Sequence, residues 1–154
     1  MEELTVEEII KYAMRIERES YGFYRKASKF LEGSGLEGLT RTLAEEEVGH
    51  LNQLRSLIEQ ERIAQEDLAD QVDIDTSLFT RIISTQDIPS MATARDVLYI
   101  ALEREKDTRA NYEMLLGIAA FNEEIRSTLR MLKKMEEEHM RMLRERIDAL
   151  KAGS

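Results

Sequence analysis

Four apolar stripes run through the sequence at spacings of three and four residues, and a glutamate interrupts each of them near its middle. The first stripe is Ile10, Ala13, Glu17, Ser20, Tyr24, Ala27 and Leu31. The second is Leu36, Leu39, Leu43, Glu47, His50, Leu54 and Leu57. The third is Leu98, Ala101, Glu105, Thr108, Tyr112, Leu115 and Ala119, and the fourth is Ile125, Leu129, Leu132, Glu136, His139, Leu143, Ile147 and Leu150. Offsets of three and four keep side chains on one face of an α-helix. The pattern therefore predicts four amphipathic helices, each with a polar intrusion at mid-height. Pro89 is the only proline, so long stretches run without a helix breaker.

Local signals bound the helices. Thr5 with Glu8 reads as a capping box for the first, and Ser34 with Glu37 for the second. Gly33-Ser34-Gly35 ends the first helix, which over residues 5–31 would be about 40 Å long. The third opens near Ser90 or Thr93, and the fourth follows Asn122, a good N-cap. Residues 65–90 lose the helical rhythm and read as a crossover, with a short helix around Ser77–Ile83. Short turns near 32–35 and 120–122 make each flanking pair antiparallel neighbours. The expected fold is all-α: a four-helix bundle of two hairpins (about 5–64 and 90–151) joined by a long crossover, in one domain spanning 1–154. That is ferritin-like connectivity.

Composition removes several classes of function. The absence of cysteine excludes a disulfide scaffold, a cysteine zinc site, an iron–sulfur cluster and thiol catalysis. A formal net charge of -9 argues against nucleic acid or an anionic membrane as partner. The longest apolar run, Met114 to Phe121, falls far short of the roughly 20 residues of a bilayer span. The opening MEELTVEEII lacks the basic-then-apolar plan of a signal peptide. The expectation is a soluble, cytoplasmic protein.

The acids on the stripes carry the chemistry. In Glu47-Val48-Gly49-His50 and Glu136-Glu137-Glu138-His139, acid and imidazole stand three residues apart, on one helix face. A lone Glu-x-x-His in a glutamate-rich chain is ordinarily solvated surface. Here the motif belongs to an internal repeat. Ala13 to Glu17 aligns with Ala101 to Glu105, which places Tyr24 on Tyr112 and Ser20 on Thr108. Glu47 follows Glu17 by 30 positions, Glu136 follows Glu105 by 31, and each is followed by His at the third position. Four carboxylates and two imidazoles facing one core without a cation would cost many kcal/mol or force protonation. A pair of divalent metals removes the conflict, and oxygen-rich ligation with one imidazole per metal suits iron or manganese better than zinc or copper.

With AMRIERESYGFY (13–24), LAEEEVGH (43–50), ALEREKDTRANY (101–112) and LKKMEEEH (132–139), the chain resembles the rubrerythrin branch of the ferritin-like superfamily over essentially its whole length. The resemblance implies two iron ions, with manganese as an alternative occupant and zinc as a substitute. It implies that Glu47 and Glu136 bridge the metals, that Glu17 and His50 complete one, and that Glu105 and His139 complete the other. Tyr24 and Tyr112 resemble tyrosines that hydrogen-bond to ligand carboxylates; core filling is their plainer reading. Two features depart from the typical family pattern. No four-cysteine rubredoxin domain is present in these residues. Thr108 stands where typical members carry an extra glutamate, with Ser20 as its mate, so the ligand set is closer to a symmetric six-residue one.

The implied activity is reduction of hydrogen peroxide or dioxygen with oxidation of ferrous iron. An external donor, such as a rubredoxin-like protein, would supply electrons, and a homodimer is the expected assembly. Iron storage without turnover, a metal-free helical interaction module and manganese catalase-like disproportionation are the rivals. The remaining residues have plainer readings. The methionines, Met114, Met131, Met135, Met140 and Met142 among them, are packing and surface filler. In the runs Glu45–Glu47 and Glu136–Glu138 one member each faces inward. Arg15, Arg18 and Arg104 pair with surface acids. Gly49, inside a helix, either leaves room beside the metals or has no role.

Overall fold

The computed structural model describes residues 6–60, 88–89, 92–118 and 123–153. Their regular structure consists of four helices: α1 (Val6–Phe30), α2 (Glu37–Gln60), α3 (Ala94–Ile118) and α4 (Glu123–Gly153). None of the helices among the described residues is long and apolar enough to cross a membrane.

Backbone geometry at the turns explains where the helices stop and start. The Leu31 N–H still reaches the Ala27 carbonyl at 2.9 Å, and the Ser34 N–H closes onto the Leu31 carbonyl at 2.9 Å. Between them Gly33 takes φ 84°, a left-handed conformation that costs other residues about 1–2 kcal/mol. The α2 cap differs from the predicted box by one position. The Ser34 hydroxyl accepts from the Leu36 N–H at 3.3 Å, while the Glu37 carboxylate reaches back to the Gly33 N–H at 3.5 Å. Thr93 is the cap of α3. Its hydroxyl accepts from the Asp96 N–H at 3.1 Å, and the Asp96 carboxylate accepts from the Thr93 N–H at 2.9 Å. The caps predicted at Thr5 and Asn122, the short helix at 77–83, most of the crossover and Ala119 lie outside the described residues.

α1 packs along α2 and α3 along α4, and the two hairpins meet through α1 with α3 and α2 with α4. Two apolar clusters fill the ends of the bundle. One joins the start of α1 (Ile9, Ile10, Ala13), the end of α2 (Leu54, Leu57), the end of α3 (Leu115) and the start of α4 (Ile125, Leu129, Leu132). The other joins the end of α1, the start of α2, the start of α3 and the end of α4 around Phe23, Leu43, Leu98 and Leu143. α2 and α3 therefore run the same way. The end of α2 and the start of α3 lie at opposite ends of the bundle.

The predicted stripes are the buried faces, with Leu150 at the end of α4 only half-buried. Each fully buried Leu or Ile contributes about 2 kcal/mol of apolar transfer free energy. These two clusters thus supply the stability that holds a polar layer between them.

On the surface, Arg15 pairs with Glu19 at 3.5 Å as expected. Arg104 does not behave as a surface residue. Its guanidinium lies over the Phe23 ring, 4.6 Å from the centroid, and donates to the Glu19 carbonyl at 3.4 Å. Its long apolar stem and stacking plane suit the α1–α3 seam better than open water.

Candidate metal centre

Between the two apolar clusters every helix contributes a buried ionisable side chain. α1 brings Glu17, α2 Glu47 and His50, α3 Glu105, and α4 Glu136 and His139. None of the six exposes more than 2% of its surface. The three-residue offset within α2 and within α4 puts acid and imidazole on the same inward face, as the sequence predicts.

The six converge. His50 Nδ1 lies 3.2 Å from Glu17 Oε2, 3.2 Å from Glu136 Oε1 and 3.6 Å from Glu47 Oε2. His139 Nδ1 lies 3.2 Å from Glu47 Oε1, 3.3 Å from Glu136 Oε2 and 3.4 Å from Glu105 Oε1. The two imidazoles stack, with centroids 5.8 Å apart and planes 16° from parallel. Two groups of four result: Glu17, Glu47, His50 and Glu136, and Glu47, Glu105, Glu136 and His139. Within each group, one ligand atom per residue lies within 4.8 Å of all the others, and the groups share Glu47 and Glu136.

The tyrosines tie the hairpins together. The Tyr112 hydroxyl on α3 donates to Glu17 Oε1 on α1, and the Tyr24 hydroxyl on α1 donates to Glu105 Oε1 on α3. Each phenol is buried and satisfied by the opposite hairpin's acid.

Electrostatics shows how crowded the layer is. Burial first, then the charges of Glu47 and Glu136, holds the Glu17 carboxyl well above the ordinary carboxylate range. Burial and the neighbouring Glu136 raise Glu105 likewise. Burial opposes charge on Glu136 too, but the facing Glu105 carboxyl and both imidazoles hold it below its ordinary value. Burial also opposes charge on His50, yet Glu136, Glu17 and Glu47 outweigh it and push the imidazole up to about 12. His139 is raised in the same way by Glu105, Glu136 and Glu47. The cluster draws in protons because it needs positive charge.

The donor set fits a pair of divalent cations. Both oxygens of Glu47, both of Glu136, Oε2 of Glu105 and Nδ1 of His139 are buried without a hydrogen-bond partner among the described residues. Such atoms are costly in a protein interior unless something completes them, and they are the lone pairs a cation would take. Thr108 is buried and its hydroxyl donates to the Arg104 carbonyl at 3.0 Å, so that position adds no carboxylate.

One participant escapes a reading by stripes. Glu46 belongs to a run expected to turn only Glu47 inward, but its Oε2 hydrogen-bonds to Nε2 of His139 across on α4. The available signal was its place next to an inward acid on a helix facing a second histidine.

A rubrerythrin family model matches residues 8–147. The chain belongs to the rubrerythrin family. No curated protein and no solved structure matches it. The family assignment covers all six converging residues and both tyrosines, and it accords with the four-helix architecture and the buried carboxylate–histidine layer.

Proposed function

We propose that the chain is a non-haem di-iron redox protein that reduces hydrogen peroxide or dioxygen while ferrous iron is oxidised. The observation that carries this reading is the pair of overlapping four-residue groups sharing Glu47 and Glu136. On this reading Glu17, Glu47, His50 and Glu136 would hold one ion, and Glu47, Glu105, Glu136 and His139 would hold the other. A pair of ferrous ions supplies two electrons to an O–O bond, the chemistry for which an oxygen-rich dinuclear site is suited.

The chain's own residues do the rest. Leu, Ile and Val side chains above and below keep the layer dry, which strengthens every charge interaction within it. The Tyr112 hydroxyl fixes Glu17 Oε1 and leaves Oε2 to face His50, while the Tyr24 hydroxyl fixes Glu105 Oε1, the oxygen that also faces His139, and leaves Oε2 free for a cation. His139 passes its Nε2 hydrogen bond to Glu46, whose side chain is 40% exposed. That contact links the dry layer to water and gives protons a route from the surface to the site. An external electron donor and a homodimeric assembly complete the proposal.

The test is anaerobic loading with Fe(II), followed by stopped-flow mixing with peroxide and, separately, with oxygen. Uptake of two Fe(II) per chain and oxidation well above the rate of free Fe(II) supports the reading, and the faster oxidant identifies the substrate. Fewer than one metal per chain from an iron-replete preparation overturns it in favour of a metal-free module. Oxygen release from peroxide by a manganese-loaded sample, without a donor, overturns it in favour of disproportionation.

A further inference from the structure

The internal repeat equates Glu46 with Met135, each immediately before the shared glutamate of its helix. Around them the two halves match closely: one terminal glutamate, one tyrosine donor, one shared glutamate and one inward histidine each. They differ at the far nitrogen of the imidazole. On His139 it is hydrogen-bonded to the Glu46 carboxylate. On His50 the same nitrogen is buried, and no described group hydrogen-bonds to it. Met135 offers only a thioether where its counterpart offers a carboxylate.

We propose that Glu46 makes the two cation positions unequal, so that the position served by Glu105 and His139 fills before the one served by Glu17 and His50. The inference rests on the dinuclear reading above and deepens it. An imidazole that donates its outer N–H to a carboxylate is locked in the tautomer whose other nitrogen carries the lone pair, and its ring is held in place. His139 Nδ1 then faces Glu47, Glu136 and Glu105 at 3.2–3.4 Å, with its ring already in place and only a proton to give up. His50 has equivalent contacts on its inner nitrogen, but no described residue chooses its tautomer from behind. Losing an outer partner of this kind lowers metal affinity by about 10–100-fold, which sets the expected gap between the two positions. Glu46 is a positioning residue in this account: it touches the imidazole and not the cations.

The experiment is an anaerobic calorimetric titration of the full chain with Co(II), read in parallel by visible absorption. The wild-type chain should take up two Co(II) in two steps separated by about 10–100-fold in affinity. Glu46→Ala should weaken the first step by about that factor and leave the second within about threefold, so the steps converge while the total stays at two. Glu46→Gln, which keeps the size and an acceptor but removes the charge, should fall between, and guards against a folding effect in the alanine variant. Met135→Glu should tighten the second step. Two wild-type steps of equal affinity, or two unequal steps that neither Glu46 variant moves, overturn the inference. A wild-type chain that takes up fewer than two Co(II) overturns the dinuclear reading itself, a separate result.

Discussion

The Tyr112 hydroxyl on α3 donates to Glu17 Oε1 on α1, and the repeat-related Tyr24 on α1 donates to Glu105 on α3, so each hairpin anchors the terminal acid of the other. The same two phenols cap the polar layer from opposite ends of the bundle, since α1 and α3 run in opposite directions. Tyr112→Phe keeps the ring in its apolar setting and removes only this donor. It should cost the metal-free fold about 1 kcal/mol. It should lower metal affinity by about 10–100-fold. Calorimetric Co(II) titration and thermal unfolding check both, and Tyr24→Phe should behave alike. Undiminished affinity in both variants would mean the phenols serve only as packing.

Glu17→Gln separates the cost of the acid from its use. The Glu17 carboxyl is held well above its ordinary range by burial and by Glu47 and Glu136, so the metal-free fold keeps it protonated at a cost. An amide of the same shape needs no proton and still offers an oxygen to Tyr112. The metal-free variant should melt higher at neutral pH, by about 1–3 kcal/mol, while metal uptake falls below two per chain. Alanine is the poorer probe, because it strands the Tyr112 hydroxyl without an acceptor. Equal metal content in variant and wild type would remove Glu17 from the ligand set.

Most of the core and the six converging residues were legible in the sequence, for a physical reason. A helix buries one face, so spacing alone reveals which residues share it, and an acid on that face stands out as a conflict. Glu17, Glu47, Glu105 and Glu136 were visible on this ground, and the internal repeat separated them from an ordinary glutamate-rich surface. Glu46 was not legible. It sits about 100° round the helix from Glu47, at an exposed position by phase, and only its long side chain brings its carboxylate back to His139. Arg104 was misread for the same reason: its long stem carries the guanidinium back over the Phe23 ring in the seam while its phase points outward. The caps of α2 and α3 were legible to within a turn, because hydroxyl and carboxylate reach several backbone donors in one turn and spacing does not choose among them.

Gly49 lies one residue before His50 in α2, where the sequence allows it either to leave space near the site or to have no role. The structure assigns it no such task. It is exposed, and a methyl group built there meets nothing within 4 Å. Glycine inside a helix is less favourable than alanine by about 1 kcal/mol. Gly49→Ala should therefore raise the melting temperature by about 2–4 °C, in metal-free and loaded protein alike, with metal content unchanged. A loss of metal in this variant would show that the backbone at 49 has to move for loading.

The pH dependence of the metal-free fold follows from the protons its centre holds. Glu17 and Glu105 are raised by burial and by neighbouring carboxylates. Burial opposes charge on both histidines, but the carboxylates around them prevail, lifting His50 to about 12 and raising His139 as well. Each raised group stabilises the fold fully below its unfolded value, about 4.5 for Glu and about 6.5 for His, and loses that contribution as pH climbs to the folded value. Glu136 is lowered, so it has the opposite sign, but it acts only in acid, below its unfolded value. From about pH 5.5 to about 9 the folded chain thus holds more protons than the unfolded chain, and stability should fall by about 1.4 kcal/mol per pH unit for each extra proton. Cations compete for the same atoms, so loading should release protons, and the loaded protein should gain stability relative to the metal-free form as pH rises. Melting curves across this range, with and without Co(II), check both slopes. A metal-free profile that is flat or rises with pH would show that these side chains do not hold their protons, and that the carboxylates open to water when no cation is bound.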